Sequence, residues 1–220
     1  MIGQLIGAVG GRRWTLTVRP TIRLVIGRWF AVALLAGGLS VAAAGLAGAS
    51  VSRTQTHIFQ AFTASGKPAI HVTRSERGSC WVGSIAINRD DAWRCASGNA
   101  LYDPCFSSSK ARGIVVCPLA PWQTSGVELK LTKRLPQPNP GKASTTGHPW
   151  AIQTSSGLRC LFDTGAAPVI HNLPGSYFCA GSPDDLWGLP SRNSQPWMIY
   201  VGPPSATKLS KRVSVTVAWF

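Results

Sequence analysis

Acidic residues are scarce in this chain of 220 residues. Eight Asp and Glu stand against 22 Lys and Arg, and no acidic residue lies in residues 1–49. Those 49 residues hold five Arg, so 17 basic and eight acidic residues remain beyond them, a net charge of +9. Such a part is attracted to anionic polymers, acidic lipid or acidic proteins. Its basic residues are scattered without a recognition motif, which disfavours nucleic acid as the partner.

The chain also lacks the short motifs of common enzymes and metal proteins. Gly-x-Ser-x-Gly, Lys-Thr-Gly, Cys-x-x-Cys and a Gly-rich phosphate loop are all absent. The four His residues are far apart in the sequence, so we expect no metal site and no cofactor. These absences favour a protein that is not an enzyme, without deciding the question.

No stretch of helical length is amphipathic. From about residue 70, short apolar and aromatic runs alternate with Gly, Pro, Asn, Asp and Ser, which is typical of an all-β domain. We predict a small disulfide-stabilised β-sandwich or barrel-like domain over residues 70–220. The predicted strands are 80–87, 113–117, 127–132, 150–154, 158–162, 196–201 and 213–220.

The last two predicted strands are expected to pair. Val213, Val215, Val217 and Trp219 alternate with smaller or polar residues, which predicts one apolar face. The turn residues 202–205 connect this strand to the one before it. A Pro-rich loop, 136–149, divides the domain into lobes of about 70–135 and 150–220, and residues 50–69 read as a flexible tether.

The first 49 residues predict an export signal. Five Arg precede a 21-residue uncharged run at residues 29–49, which ends in Ala47-Gly48-Ala49. Positive charge before an apolar helix holds that end in the cytoplasm, and small residues suit cleavage by signal peptidase. Both a cleaved signal peptide and a retained transmembrane anchor are open, since the run is long enough to span a bilayer. Either places residues 50–220 outside the cytoplasm, secreted or at the cell envelope.

Six cysteines fall within residues 80–179, and they agree with an oxidising compartment. The first lobe holds Cys80, Cys95, Cys105 and Cys117, and the second holds Cys160 and Cys179. Even counts favour pairing within each lobe. Cys160 then pairs with Cys179, and the other four pair in one of three ways.

The domain carries seven tryptophans. A row of exposed rings would suit carbohydrate binding, but we expect these rings to form the core together with the disulfides. Trp81, Trp93 and Trp219 support the core interpretation, because they lie beside cysteines or in an alternating strand.

Asp163-Thr164-Gly165 is the sharpest catalytic candidate. Aspartic proteases present a carboxylate in such a segment, and a second copy must share its proton. A homodimer would supply that copy. Against this interpretation, Thr-Gly is ordinary turn chemistry after a strand, and Cys160 is expected to lie in a disulfide.

Several spaced motifs resemble those of a known group of proteins. In the first lobe they are Cys80-Trp81-Val82-Gly83-Ser84, Asp91-Ala92-Trp93-Arg94-Cys95, Asp103-Pro104-Cys105-Phe106 and Val116-Cys117-Pro118. In the second lobe they are Gly157-Leu158-Arg159-Cys160-Leu161-Phe162, Tyr177-Phe178-Cys179, Pro196-Trp197-Met198-Ile199-Tyr200 and Val215-Thr216-Val217-Ala218-Trp219. Over about residues 78–220 the chain resembles an uncharacterised group of secreted or membrane-anchored bacterial proteins, mainly from high-GC Gram-positive lineages. The resemblance implies an exported Cys/Trp domain and implies no activity.

We therefore expect a non-catalytic binding or structural module of the cell envelope. Its ligand would be an anionic wall polymer or an acidic partner, held by two basic clusters that we expect to form one patch: Lys130, Lys133 and Arg134, and Lys208, Lys211 and Arg212. The alternative is an envelope hydrolase that uses carboxylates. It would be glycosidase-like through Asp90, Asp91, Asp184 or Asp185, or protease-like through Asp163.

Overall fold

Thirteen β-strands make up all the regular secondary structure of residues 53–136 and 147–220, the part that the computed structural model describes. The predicted all-β class is confirmed. The predicted leader, residues 1–49, and residues 137–146 of the predicted loop lie outside the described residues. The strands are β1 Gln55–His57, β2 His71–Gly83, β3 Ala92–Ser97, β4 Ala100–Ser107, β5 Ile114–Pro118, β6 Ser125–Leu131, β7 Ala151–Thr154, β8 Arg159–Phe162, β9 Val169–Ile170, β10 Leu173–Phe178, β11 Asp185–Ser191, β12 Met198–Gly202 and β13 Arg212–Trp219.

The first barrel contains strands β2 to β6 in sequence order. Neighbours are antiparallel, and the barrel closes where β2 pairs in parallel with β6. β2 is long enough to serve two partners: its first half, from His71 to Gly78, pairs with β6, and its second half pairs with β3. Closure leaves this sheet without a free edge.

The second barrel contains β7, β8, β10, β11, β12 and β13 in that order, and it closes through antiparallel pairing of β13 with β7. The short strand β9 pairs with β10. β12 and β13 form the predicted antiparallel pair, with Ile199 opposite Val213. Two barrels thus account for the two predicted lobes.

Residues 53–69 do not form the predicted tether, and that prediction is wrong for this segment. β12 pairs only with the start of β13, and β1 pairs in parallel with the end of β13, with Gln55 opposite Val217. Beyond β1, the Phe59 N–H donates to the Phe220 carbonyl (2.6 Å). Thr54 and Ala61 are buried. The segment folds because it satisfies backbone groups of β13 that would otherwise lack partners.

The predicted alternation of the last strand holds only in its first half. Val213 and Val215 are buried, but a register irregularity against β7 follows Val215. A β-bulge of this kind shifts the alternation by one residue. Ala218 and Phe220 therefore enter the core, while Trp219 stays half exposed.

Two cores fill the molecule. The smaller one lies inside the first barrel, and the larger one includes residues from both barrels. The wall of the first barrel is apolar on both sides: Cys105 and Val115 face the smaller core, and their neighbours Phe106 and Val116 face the larger one. The two barrels therefore share a core and belong to one folded unit.

The three disulfides lie within the lobes, as predicted. They join Cys80 to Cys95, Cys105 to Cys117, and Cys160 to Cys179. The structure thereby selects one of the three pairings that the sequence left open for the first lobe.

Arg89 connects the two barrels. Its guanidinium is 3% exposed, forms two hydrogen bonds to the Asp91 carboxylate, and donates to the carbonyls of Phe59 (2.7 Å) and Phe220 (3.3 Å). A buried charge needs a counter-ion and acceptors. Asp91 supplies the counter-ion, and the chain ends of β13 and the β1 segment supply the acceptors.

Candidate anion-binding cavity

A cavity of about 1050 Å³ opens at one end of the first barrel. It lies where β3 and β5 begin and where β4 and β6 end, because antiparallel neighbours bring those ends together. The residues that line it are Asp90, Asp91, Trp93, Ser107, Ser108, Ser109, Ala111, Arg112, Gly113, Ile114, Leu131, Thr132, Lys133, Arg134, Leu135 and Pro136. Barrel mouths are common ligand sites.

The inner part of the cavity is apolar and fixed in position. Trp93 is 3% exposed, and its Nε1–H donates to the Ser107 hydroxyl (2.9 Å). The Ser107 N–H in turn donates to the Asp91 carbonyl (2.8 Å). Leu131 and Leu135 pack against the smaller core from the same side. A ligand would therefore meet a preformed surface.

The rim of the cavity is cationic. Arg112, Lys133 and Arg134 line it and are exposed. The segment that carries Lys133 and Arg134 is held by the backbone N–H and the hydroxyl of Thr132, which both donate to the Gly78 carbonyl (2.8 and 3.1 Å). This attachment holds the two cations at the cavity that Arg112 also lines.

Little negative charge opposes these cations. Asp91 is neutralised by Arg89, at 2.6 Å, which leaves Asp90 as the one uncompensated carboxylate among the lining residues. Within residues 53–136 and 147–220, no salt bridge joins Arg112, Lys133 or Arg134 to a carboxylate. The cavity mouth therefore combines three cations with hydroxyl donors from Ser108 and Ser109, an arrangement that suits an anion.

The other predicted binding residues lie elsewhere. Lys130 is on the outer wall of the first barrel, beside Arg77 of β2. Lys208 and Lys211 lie in the connection before β13, and Arg212 begins β13, with its guanidinium 5.2 Å from the Tyr200 ring. Since the two clusters belong to different barrels, the single patch stays a prediction.

The structure places Asp163 in the turn after β8. Its carboxylate accepts the N–H of Gly165 (2.8 Å), and its own N–H donates to the Ser176 carbonyl. This is the ordinary turn chemistry that the sequence offered as the competing interpretation. Asp185, another candidate carboxylate, accepts the Cys179 N–H (2.9 Å). The hydrolase alternative stays a prediction.

Most tryptophans lie in the core, as expected: Trp93, Trp150, Trp187 and Trp197 are buried. Trp122 and Trp219 are half-buried and pack against the larger core. Trp81 is exposed, and the prediction is wrong for this residue. Cys80 lies opposite Cys95, but Val82 lies opposite Arg94, so Trp81 is the extra residue of a bulge. Its ring is 51% exposed.

A second polar network joins the barrels. The Asp103 carboxylate is almost fully buried, accepts the Ser84 hydroxyl and the Ile85 N–H, and lies 3.7 Å from Arg94. Burial raises the pKa of Asp103, and these partners oppose the rise. Arg94 also donates to the Thr164 carbonyl of the second barrel (3.3 Å).

His148 lies at the same junction. Burial lowers its pKa, although the backbone of Ala86 and Ile85 opposes that change through hydrogen bonds. Its ring packs on Phe162 with centroids 4.3 Å apart. Burial also raises the pKa of Tyr177, whose ring contacts that of Phe162 as well.

Sequence reasoning missed Arg112, Trp93 and the Ser107–Ser109 hydroxyls as parts of one cavity. These residues are up to 41 positions from Arg134, since Trp93 is the most distant of them, and no short motif joins them. The signal available was the cysteine framework, because two short disulfides hold β2 to β3 and β4 to β5. It indicates which strands are neighbours without showing which strand ends meet.

The described residues contain no group of three His, Cys, Asp or Glu side chains that could hold a metal ion. No helix long and apolar enough to cross a membrane occurs in residues 53–136 and 147–220. The predicted membrane segment, residues 29–49, lies outside them. Comparison of the chain with protein-family models, with curated proteins and with solved structures found no match in any of the three.

Proposed function

We propose that this chain is an exported, non-catalytic module of the cell envelope that binds an anionic wall polymer at the mouth of its first barrel. One observation carries the proposal: three cations, Arg112, Lys133 and Arg134, line the cavity. One of its two acidic residues, Asp91, is already neutralised by a buried arginine. The positive potential at the mouth is therefore available to a ligand.

The residues suggest how an anionic group would bind. A guanidinium offers paired N–H donors that fit phosphate or carboxylate oxygens, and a lysine ammonium adds a mobile charge. Ser108 and Ser109 contribute hydroxyl donors at the same rim. A polymer would bind through one charged group in the cavity, with neighbouring repeats along the basic surface.

The predicted location supports the same proposal. Three disulfides and no free cysteine among the described residues suit an oxidising compartment. The net charge of +9 beyond residue 49 raises the local concentration of a polyanion. Anionic polymers of the wall meet both conditions.

Cosedimentation of the oxidised protein with purified cell walls tests the proposal. Binding should weaken between low and moderate salt, because the screening length falls from about 30 Å at about 0.01 M to about 8–10 Å at about 0.1–0.15 M. Walls from which the anionic polymer has been extracted should retain little protein. Binding that is unchanged by salt or by extraction would contradict the proposal.

A pair of variants with equal charge change separates the cavity from general attraction. Lys133→Gln with Arg134→Gln removes two positive charges at the cavity, and Lys208→Gln with Lys211→Gln removes two from the second barrel. Loss of one charge-assisted contact of about 1.5–3 kcal/mol lowers affinity at least tenfold, so we expect the first variant alone to bind roughly tenfold weaker. Equal losses in both variants would show diffuse attraction instead.

The same experiment also tests the two alternatives, a hydrolase and a module that binds an acidic protein. Soluble fragments released from the walls would favour the hydrolase. Failure to pellet, together with capture of one stoichiometric acidic protein, would favour a protein partner.

A further inference from the structure

Four large apolar side chains are exposed together on the outer wall of the first barrel. They are Trp81 (51% exposed), Val82 (44%), Ile85 (46%) and Leu101 (51%), which we call the Trp81 face. Most exposed apolar residues are scattered singly and need no explanation. Trp81 and Val82 lie on β2, and Leu101 lies on β4, on the other side of β3. Ile85 follows β2, and its N–H donates to Asp103 of β4 (3.2 Å), so the four residues lie in one region of the barrel wall.

Strand register places them side by side. Ser79 lies opposite Ala96, and Ala96 lies opposite Leu101, which forms one row across β2, β3 and β4. Adjacent strands are about 4.8 Å apart and residues along a strand about 3.3 Å apart. The bulge at Trp81 directs both Trp81 and Val82 away from the interior, where Cys80 lies. Leu101 is therefore within about 15 Å of Trp81.

A pair of cations borders this face. Arg77 of β2 lies opposite Lys130 of β6, and both residues are exposed. Arg77 is four residues before Trp81 in β2 and lies on the same outer wall. The acidic side chains near this face are engaged. Asp103, which accepts the Ile85 N–H, is buried 3.7 Å from Arg94. Glu76 pairs with Arg74 at 2.7 Å, and Glu128 accepts the Ser75 hydroxyl at 2.8 Å. The face thus combines a tryptophan and aliphatic side chains with adjacent positive charge.

We propose that the Trp81 face binds the surface of an anionic lipid membrane. Tryptophan prefers the interface between water and lipid, and aliphatic side chains enter the boundary with the acyl chains. Lys and Arg beside such a surface are attracted to anionic lipid. The domain as a whole is basic, and the sequence also predicts a membrane segment at residues 29–49.

The aliphatic neighbours favour a membrane over a glycan strand. A sugar ring that stacks on Trp81 needs hydrogen-bond partners for its hydroxyls, and Val82, Ile85 and Leu101 offer none from their side chains. A lipid surface needs none. None of these four side chains lines the cavity, so the inference does not depend on the proposed function.

The test follows the fluorescence of Trp81 in the full-length oxidised protein, reconstituted into vesicles. Subtracting the emission of the Trp81→Phe variant from that of the unchanged protein isolates the Trp81 signal from the other eight tryptophans. Vesicles contain brominated or ordinary acyl chains, in anionic or zwitterionic lipid. We expect brominated anionic vesicles to quench at least half of the Trp81 signal, and brominated zwitterionic vesicles to quench much less.

Variants identify the surface. Val82→Ser with Leu101→Ser, and separately Arg77→Gln with Lys130→Gln, should each reduce the quenching at least twofold. Leu189→Ser, which changes an equally exposed apolar residue of the second barrel, should leave it unchanged. Lys133→Gln with Arg134→Gln should also leave it unchanged, even where wall binding is lost.

Two results would overturn the inference. One is equal Trp81 emission in brominated and ordinary anionic vesicles. The other is a Trp81 emission that changes on addition of soluble glycan fragments and does not change with lipid. Retention of three disulfides and of the near-UV circular dichroism in each variant shows that these results concern binding and not folding.

Discussion

The two barrels fill their interiors with different side chains. Inside the first barrel, four of the eight buried residues are half-cystines, with Trp93 as the one large ring. The larger core is built from Trp150, Tyr177, Trp197 and Phe220, with the single disulfide Cys160–Cys179. A five-stranded barrel of short strands has little interior volume, and disulfides occupy it while they restrain the unfolded chain. A wider barrel has room for rings, which stabilise it by burial.

The first barrel is therefore stabilised from both sides of its wall. Its interior holds the disulfides, and its outer residues Ala92, Phe106 and Val116 pack into the larger core. One end of the first barrel remains open as the cationic cavity. This comparison teaches that the disulfides support the part that carries the proposed site, while aromatic packing supports the part that anchors it.

Trp150→Ala should have the largest effect on stability. Trp150 is 2% exposed, and its ring meets those of Phe59 and Phe106 with centroids 5.5 and 6.2 Å away. It therefore packs on the first barrel and on the segment of residues 53–69. Truncation of a buried Trp lowers the free energy of unfolding by about 3–5 kcal/mol. Urea unfolding followed by far-UV circular dichroism and by fluorescence measures the loss.

Trp150→Phe is the matched control. Among the described residues, the indole Nε1–H of Trp150 has no hydrogen-bond partner. Phenylalanine keeps most of the ring and removes that orphan donor, so the loss should be smaller than for alanine. Both variants should unfold in one transition, because the barrels share a core; separate transitions by the two probes would break the comparison.

Removal of the Cys80–Cys95 disulfide should have the next largest effect. The two cysteines are buried in the smaller core, so Cys80→Ala with Cys95→Ala loses both the cross-link and part of the packing. We expect the free energy of unfolding to fall by about 3–5 kcal/mol. Denaturant unfolding measures the total, and hydrogen exchange shows whether the loss is confined to β2–β6.

Cys160→Ala with Cys179→Ala is the corresponding change in the second barrel. Its closed loop is of similar length, 19 against 15 residues, so the chain-entropy contribution is similar. The aromatic core should limit the total loss to about 2–3 kcal/mol. A larger loss than in the first barrel would reverse the comparison between disulfide and aromatic support.

Arg89→Gln should loosen the junction between the barrels. It removes a buried guanidinium that binds the carbonyls of Phe59 and Phe220 and neutralises Asp91. Hydrogen bonds to charged groups contribute about 1.5–3 kcal/mol, and we expect a loss in that range by urea unfolding. Arg159→Gln, an exposed change beside Trp122, is the control and should have little effect.

The change of stability with pH should be the smallest effect. His148 and Asp103 contribute to it with opposite signs, because burial lowers the pKa of His148 and raises that of Asp103. Because the pKa of His148 is lowered in the folded chain, the unfolded chain takes up this proton at a higher pH than the folded chain does. The contribution of His148 to stability is therefore present above about pH 6.5 and is lost as the pH falls through the folded pKa. His148→Gln should flatten the decline. The raised pKa of Asp103 does the reverse: its contribution is present below about pH 3.8 and is lost as pH rises through the folded value.

Asp103→Asn should remove that second dependence. Thermal midpoints across pH 3 to 8 for both variants measure the two slopes. An unchanged slope between pH 7 and 5 in His148→Gln would show that another group controls stability there.

Sequence patterns predicted much of the fold because the signals are local. The pairing of β12 with β13 followed from two apolar runs joined by turn residues, and the pairing of cysteines within lobes followed from even counts. The predictions are wrong for the burial of Trp81 and for the alternation of β13 beyond Val215. In both strands a bulge inserts one residue and reverses the side-chain direction beyond it. The polar composition of residues 53–69 predicts a tether. The segment folds instead, because the end of β13 has backbone groups that pair with β1.

The candidate site was predicted only in part. The basic cluster predicts Lys133 and Arg134 as binding residues. Nothing in the sequence connects them with Arg112 or Ser107, because no motif or repeat contains all of these positions. Closure of the barrel brings these strand ends together.

By itself, the sequence determined the all-β class, the approximate positions of seven of the thirteen described strands, and the pairing of the cysteines within each lobe. These depend on turn residues, β-propensity and the number of cysteines in each segment, all of which act over short distances along the chain. The tertiary structure alone decided that the lobes are closed barrels with a shared core, that Arg89 neutralises Asp91, and that three cations meet around one cavity. Those features depend on bulges and on pairing between strands that are distant in the sequence. The free energy of each pairing depends on the neighbouring strands, which are themselves in place only in the folded protein.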